Sequence, residues 1–245
     1  RAAWLAVLAM HREVAYREKQ EFYRTREEAL EDQRLICAGQ DNLDKVKTRM
    51  INLGAFLKGY GADDLMFVNA TLGVVTVAGN GHYFYLADPK LPDDGNLAIE
   101  MLHLTWQHIG ERRAETAAKT GEPAVEMQRM DTQVDGCRVN KNKIKWAWMA
   151  WLVATKQQLQ AADNYMLVGH THDLMDAILA IVSRWIKQGL VIKTLIDLAK
   201  AIIDAFNQRT SNPFVRVVVL QSVHHWNKFF DSFVPPIEKV AATVP

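Results

Sequence analysis

Apolar residues recur at helical spacing along the start of the chain. Trp4, Leu5, Leu8, Val14, Phe22 and Leu30 are separated by Arg, Glu and Lys, which predicts one amphipathic helix over 2–32 on a domain edge. Residues 34–39 (R-L-I-C-A-G) read as a short buried strand closed by Gly39. Residues 40–58 have no dominant period. The run 65–78 contains F-V-N-A-T-L-G-V-V-T-V-A and is rich in β-branched residues. Gly79-Asn80-Gly81 then signals a hairpin, because glycine and asparagine accept positive φ, and 83–87 (Y-F-Y-L-A) is the returning strand. A loop with Pro89, Pro92 and Gly95 leads to a helix over 96–118, with Leu97, Met101, Leu104 and Ile109 at its apolar positions. After a turn at 120–123, residues 126–135 alternate as a strand. A helix follows over about 140–160 with Trp146, Met149, Leu152 and Val153. A short apolar strand over 164–168 precedes a helix running to 188. The remainder reads as an amphipathic helix over 190–207, a strand over 215–220 and a short helix over 224–233.

The order is therefore β (34–38), β (67–78), β (82–87), α, β (128–135), α, β (164–168), α. This order is similar to that of the ribonuclease H-like fold. The resemblance implies an α/β domain: a mixed five-stranded sheet flanked by helices, with extra N- and C-terminal helices. In such a sheet 34–38, 128–135 and 164–168 are neighbouring parallel strands joined by right-handed crossovers, and 82–87 runs antiparallel to 67–78. Residues 34–190 then form the ribonuclease H-like domain, 1–33 an N-terminal helical extension, and 191–245 a C-terminal helix–strand–helix extension packed on the same domain.

Composition narrows the class. With 245 residues, 49% hydrophobic and 23% charged, the chain can bury a sizeable core. A formal net charge of +1 means that any anionic partner must be met by a local patch. Two cysteines, Cys37 and Cys137, make no disulfide framework and suit an intracellular, reduced compartment. No apolar run approaches the roughly 20 residues that span a bilayer, so no membrane partner is expected. The first residue is not methionine, and the start reads as the middle of a longer protein.

The chemistry concentrates in 164–177, N-Y-M-L-V-G-H-T-H-D-L-M-D-A. Strand, glycine, polar cluster and helix in succession place side chains at the carboxyl end of a sheet strand. His170, His172, Asp173 and Asp176 are of types that hold a metal. The same residues also suit a helix start, with Thr171 as cap and Asp173 complementing the dipole. Asp135 ends the strand before. Arg138, Lys141, Lys143 and Lys145 crowd the start of the next helix, where cations oppose the dipole. An anionic partner or a solvated face accounts for them.

V-D-G-C-R-V-N-K-N-K (134–143), V-G-H-T-H-D-L-M-D (168–176) and V-H-H-W-N-K-F-F (223–230) together resemble an uncharacterised transposase-like, ribonuclease H-like domain of eukaryotic transposon-derived proteins. The resemblance covers most of the chain. It implies Mg- or Mn-dependent phosphoryl transfer on DNA in the nucleus. Asp135, Asp176, His170 and His172 would hold metal, and Asp135, Asp176, Asp173 and Asp41 would supply the catalytic acids. Arg138, Lys141, Lys143 and Lys145 would meet DNA. The first strand of such proteins ends in Asp-Gly-x-Asp-Gln, where this chain has Ala38-Gly39-Gln40-Asp41-Asn42, and Leu174 stands where they carry Asp. Ala38 and Leu174 thus replace two expected acids and imply impaired catalysis, with Asp41 and Asp176 or Asp173 as substitutes. Two alternatives stand beside this reading. One is a binuclear metallophosphoesterase, similar in its Gly-His-Thr-His but lacking an Asp-x-His on the first strand. The other is a non-catalytic interaction domain.

Overall fold

A computed structural model describes residues 2–43, 49–51, 67–135, 142–166, 174–186, 192–208 and 213–233. The amphipathic start forms helix α1 (Ala2–Glu31), and the buried run that follows forms β1 (Leu35–Leu43). β1 is longer than its apolar core suggested, because Gln40, Asp41 and Asn42 continue the strand instead of turning away from it. Then come β2 (Arg49–Ile51), β3 (Phe67–Asn69), β4 (Thr71–Val77) and β5 (Gly81–Ala87). The expected single strand over 67–78 is broken at Ala70. β3 pairs with β2 in a separate two-stranded sheet, while β4 joins the main one. The chain reverses between β4 and β5 through Gly79 and Gly81, both at positive φ (68° and 100°), as the hairpin signal required.

The second half alternates: α2 (Gly95–Thr120), β6 (Arg129–Asp135), α3 (Lys143–Ala154), β7 (Gln160–Met166), α4 (Leu174–Ile186), α5 (Leu195–Asn207), β8 (Val215–Leu220) and α6 (Trp226–Asp231). Asp94 starts α2 by accepting from the amides of Asn96 and Leu97, and Gly121 ends it at φ 75°. Asn142 caps α3, and a reciprocal Thr194–Asp197 capping box starts α5.

The main sheet has the order β7-β6-β1-β4-β5-β8. β1, β6 and β7 run parallel, β4 is antiparallel to both β1 and β5, and β8 is parallel to β5. The sheet therefore has six strands, not five. The sixth comes from the 215–220 run, which was expected to lie in an extension and instead completes the sheet edge. Strand alternation sends successive side chains to opposite faces. On one face Ile36, Ala38, Val75, Tyr85 and Met130 pack against α2, α3 and α6, with Trp148 fully buried. On the other, Leu72, Val74, Phe84 and Leu86 pack against α4 and α5, while α1 covers Leu35 and Cys37 through Phe22 and Ala29. Among the described residues no helix is long and apolar enough to cross a membrane.

His82, just after the hairpin, lies between Thr76, whose hydroxyl is 3.1 Å from its Nδ1, and the ring of Phe206. Burial, with Arg26 adding to it, lowers its pKa from 6.5 to about 4. Between those values the unfolded chain takes up a proton that the folded chain refuses, so stability falls as pH drops from 6.5 to 4. The loss from this one group reaches about 3 kcal/mol. Thermal melts at pH 7 and pH 4.5 should show a drop in Tm that is clearly smaller in His82→Gln.

Candidate functional site

Three parallel strands, β1, β6 and β7, deliver their carboxyl ends to one edge of the domain, where α4 begins. In open α/β sheets this is the edge that holds ligands. Gly39 fixes how closely α4 approaches. A Cβ at that position would stand 3.0 Å from the Met175 sulfur, so the first turn of α4 rests on a strand backbone that has no side chain to spare. Met175, Ile178, Leu179 and Val182 lie towards the sheet, and Leu174 packs at the margin of the same core.

Position 39 faces α4 and Leu43 lies in the same core, so Asp41 between them shares their face. Asp41 is half-buried, and its Oδ1 accepts from the Asn42 amide at 2.8 Å. On β6, Gln133 pairs with Gly39. Asp135 follows Gln133 by two residues, as Asp41 follows Gly39. The two acids therefore hold corresponding positions on adjacent parallel strands. Asp176, half-buried in the first turn of α4, follows the methionine that touches β1.

Ala38 requires a correction. It is 1% exposed and belongs to the core beneath α2 and α3, on the face opposite α4. An acid at 38 would point away from α4 into packed hydrocarbon, whereas Asp41, of opposite strand parity, shares the α4 face.

The basic cluster also divides. Lys145 is not a surface cation for nucleic acid. Its side chain is 1% exposed, and Nζ lies 2.6 Å from Asp163 Oδ1, because α3 buries the face that carries Ile144, Lys145, Trp148 and Leu152. Lys143 is partly exposed and 3.8 Å from Asp231 on α6. Arg138, Lys141, Cys137, His170, His172 and Asp173 lie outside the described residues, as does the side chain of Asp135. Among the described residues no three His, Cys, Asp or Glu side chains group as a metal site.

Beside the strand ends a cleft of ≈ 450 Å³ opens between α1 and the sheet, lined by Arg17, Glu21, Cys37, Asp131, Gln133 and Asn164 among others. Cys37 is a free thiol. Burial and the nearby Asp131 push its pKa up to about 12, which keeps it protonated and unreactive. Arg129 clamps this wall, bonding Asp131 at 2.6 Å and Glu28 of α1 at 3.1 Å.

Two polar networks escaped the sequence reading. Asp163 accepts from Lys145, from the Thr132 hydroxyl and from the Tyr165 hydroxyl, and Tyr165 in turn accepts from Trp146 Nε1 at 2.7 Å. The strand was expected from 164, which left Asp163 in a loop. The signal available was Lys145 on an otherwise apolar helix face. On the opposite side Glu100, with a side chain 4% exposed, accepts from Trp226 Nε1 at 2.8 Å and from the His224 amide at 3.3 Å, and lies 2.9 Å from His224 Nδ1. This pins the V-H-H-W segment to α2.

The fold and site define a mixed α/β domain with acidic residues at the carboxyl ends of adjacent parallel strands. The chain belongs to the DUF7869 family, described as a domain of unknown function, whose profile matches residues 63–243. No curated protein and no solved structure matches the chain.

Proposed function

We propose that this chain is a ribonuclease H-like domain of transposase or integrase ancestry. It binds DNA and holds a divalent Mg or Mn ion through Asp41 and Asp135, with catalysis impaired. The observation that carries the reading is the correspondence of Asp41 and Asp135 on parallel neighbours β1 and β6, at the edge where α4 starts. The strand arrangement adds support: β1, β6 and β7 adjoin in parallel, while β4 and β5 form an antiparallel hairpin on the other side of β1. That is the pattern expected of the ribonuclease H-like order, to which β8 adds a further edge.

The donor chemistry suits a hard cation, since Asp41 and Asp135 offer carboxylate oxygens. Bound there, such an ion would supply Lewis acidity and orientation for an attacking oxygen. The protein's own contribution is to fix the strand ends in register and to shape the cleft beside them. Impairment follows from α4. Its first turn presents Met175 to the strand and tucks Leu174 into the core margin, so the carboxylate of Asp176 is offset from the sheet-facing line.

A metallophosphoesterase reading is disfavoured on two counts. Gly79-Asn80-Gly81-His82, the stretch faintly similar to that family's Gly-Asn-His motif, lies at the hairpin, the end of the sheet away from the parallel strands' carboxyl ends, and a helix occupies 174–186 where that family should have a strand after its final histidines. The test is cleavage and strand transfer of a DNA duplex with Mg²⁺ or Mn²⁺. The chain as written is expected to show little turnover, and Leu174→Asp to raise it through Asp135. Robust cleavage by the unaltered chain, abolished by Asp135→Asn, would overturn the impairment.

A further inference from the structure

The hairpin end of the sheet carries a second recess, far from the strand carboxyl ends. It is a cleft of ≈ 420 Å³ between the end of α1, the Gly79-Asn80 turn, the second half of α2 and residues 122–125. Arg112 and Arg113 both line it. Arg112 is held in place: its guanidinium lies 3.7 Å from the centre of the Phe214 ring, and Nη1 donates to the Asn80 carbonyl at 2.9 Å and to the Tyr83 hydroxyl at 3.2 Å. Arg113 is anchored by one bond, from Nη1 to the Val125 carbonyl at 3.2 Å.

Neither arginine has a carboxylate partner among the described residues, and the one acid in the lining is Glu122, exposed at the rim. The arginines lining two other clefts among the described residues are differently placed: Arg17, Arg34 and Arg129 each bond an acid at 3.1 Å or closer. Burial pulls the pKa of Arg113 below the ordinary arginine value, which is the cost of a desolvated cation that lacks a counter-charge. Thr116, Thr120 and Gln33 add neutral polar groups to the wall. Two guanidinium groups that line one recess, one of them fixed by Phe214, Asn80 and Tyr83, offer more donors than a single carboxylate can use and suit a doubly charged, many-oxygen anion.

We infer that the Arg112–Arg113 cleft binds a phosphate group, either free or carried on a small phosphorylated molecule. The inference is independent of the metal reading, since it concerns other residues at the other end of the sheet.

Calorimetric titration of the chain with inorganic phosphate, with adenosine monophosphate and with acetate tests it. Phosphate or the nucleotide is expected to bind one to one, and acetate at least about tenfold more weakly, a step of 1.4 kcal/mol. Tighter binding of the nucleotide than of phosphate identifies a phosphorylated small molecule, and equal binding identifies the phosphate group alone. Arg113→Gln should weaken binding at least about tenfold while leaving the Tm near that of the parent. Ala117→Glu, which puts a carboxylate into the cleft without removing an arginine, should do the same. No saturable binding of either phosphate ligand overturns the inference. So does binding that both variants leave unchanged, and so does acetate binding as tightly as phosphate.

Discussion

Asp163→Ala is expected to lower the stability of the domain by about 3–5 kcal/mol, the cost of removing one member of a buried ion pair. The Lys145 and Asp163 side chains are 1% and 4% exposed. Water therefore cannot solvate the ammonium once the carboxylate is gone. Thr132 and Tyr165 also lose this acceptor, which adds to the loss. Adding Lys145→Met to the same variant should restore most of the stability, because an apolar pair of similar volume is close to neutral against a buried ion pair. Urea unfolding of the parent, the single variant and the double variant checks this. A loss under about 1 kcal/mol in the single variant, the range of solvent-exposed pairs, would mean that the pair reaches solvent.

Ala38→Asp carries the other large effect. Placed in the core with Tyr85, Met130 and Trp148, a carboxylate at 38 would have to stay protonated at neutral pH. Keeping a carboxyl protonated at pH 7 against its ordinary pKa costs on the order of 4 kcal/mol, a large share of the stability of a typical domain. Circular dichroism and urea unfolding should therefore show Ala38→Asp largely unfolded or severely weakened. The variant should also be relatively more stable at acidic pH, where the acid is neutral. A folded, metal-binding Ala38→Asp would overturn the assignment of Ala38 to the α2–α3 face.

That residue also marks where the sequence stops being legible. The resemblance implied an acid at 38, but a strand of period two sends 38 and 41 to opposite faces, and only the packing of Gly39 against Met175 tells which face α4 covers. The helix over 2–32 and the Gly-Asn-Gly hairpin were readable because apolar period and turn residues act locally, whereas the parallel β1–β6–β7 block was expected from the strand order and the right-handed crossover rule. β1 looked as if it ended at Gly39 because Gln40, Asp41 and Asn42 are polar. Gln40 is nonetheless buried, since its Nε2 donates to the Ala98 carbonyl at 3.0 Å. β7 starts at Gln160, before the apolar residues, because Asp163 is satisfied by Lys145 from another element. In each case a polar residue was tolerated inside an element through a partner distant in sequence, which periodicity does not register. The 215–220 strand was legible as a strand, but its place at the sheet edge depends on pairing with β5.

The central claim is that Asp41 and Asp135 together hold a divalent ion. The most direct measurement is Mn²⁺ binding, followed by electron paramagnetic resonance and calorimetry, in the parent chain, Asp41→Asn and Asp135→Asn. The account predicts saturable binding by the parent at low stoichiometry, weakened at least about tenfold by either substitution, a loss of 1.4 kcal/mol or more, with the melting temperature preserved. Absence of saturable Mn²⁺ binding by the parent, or binding that Asp41→Asn leaves untouched, would contradict it.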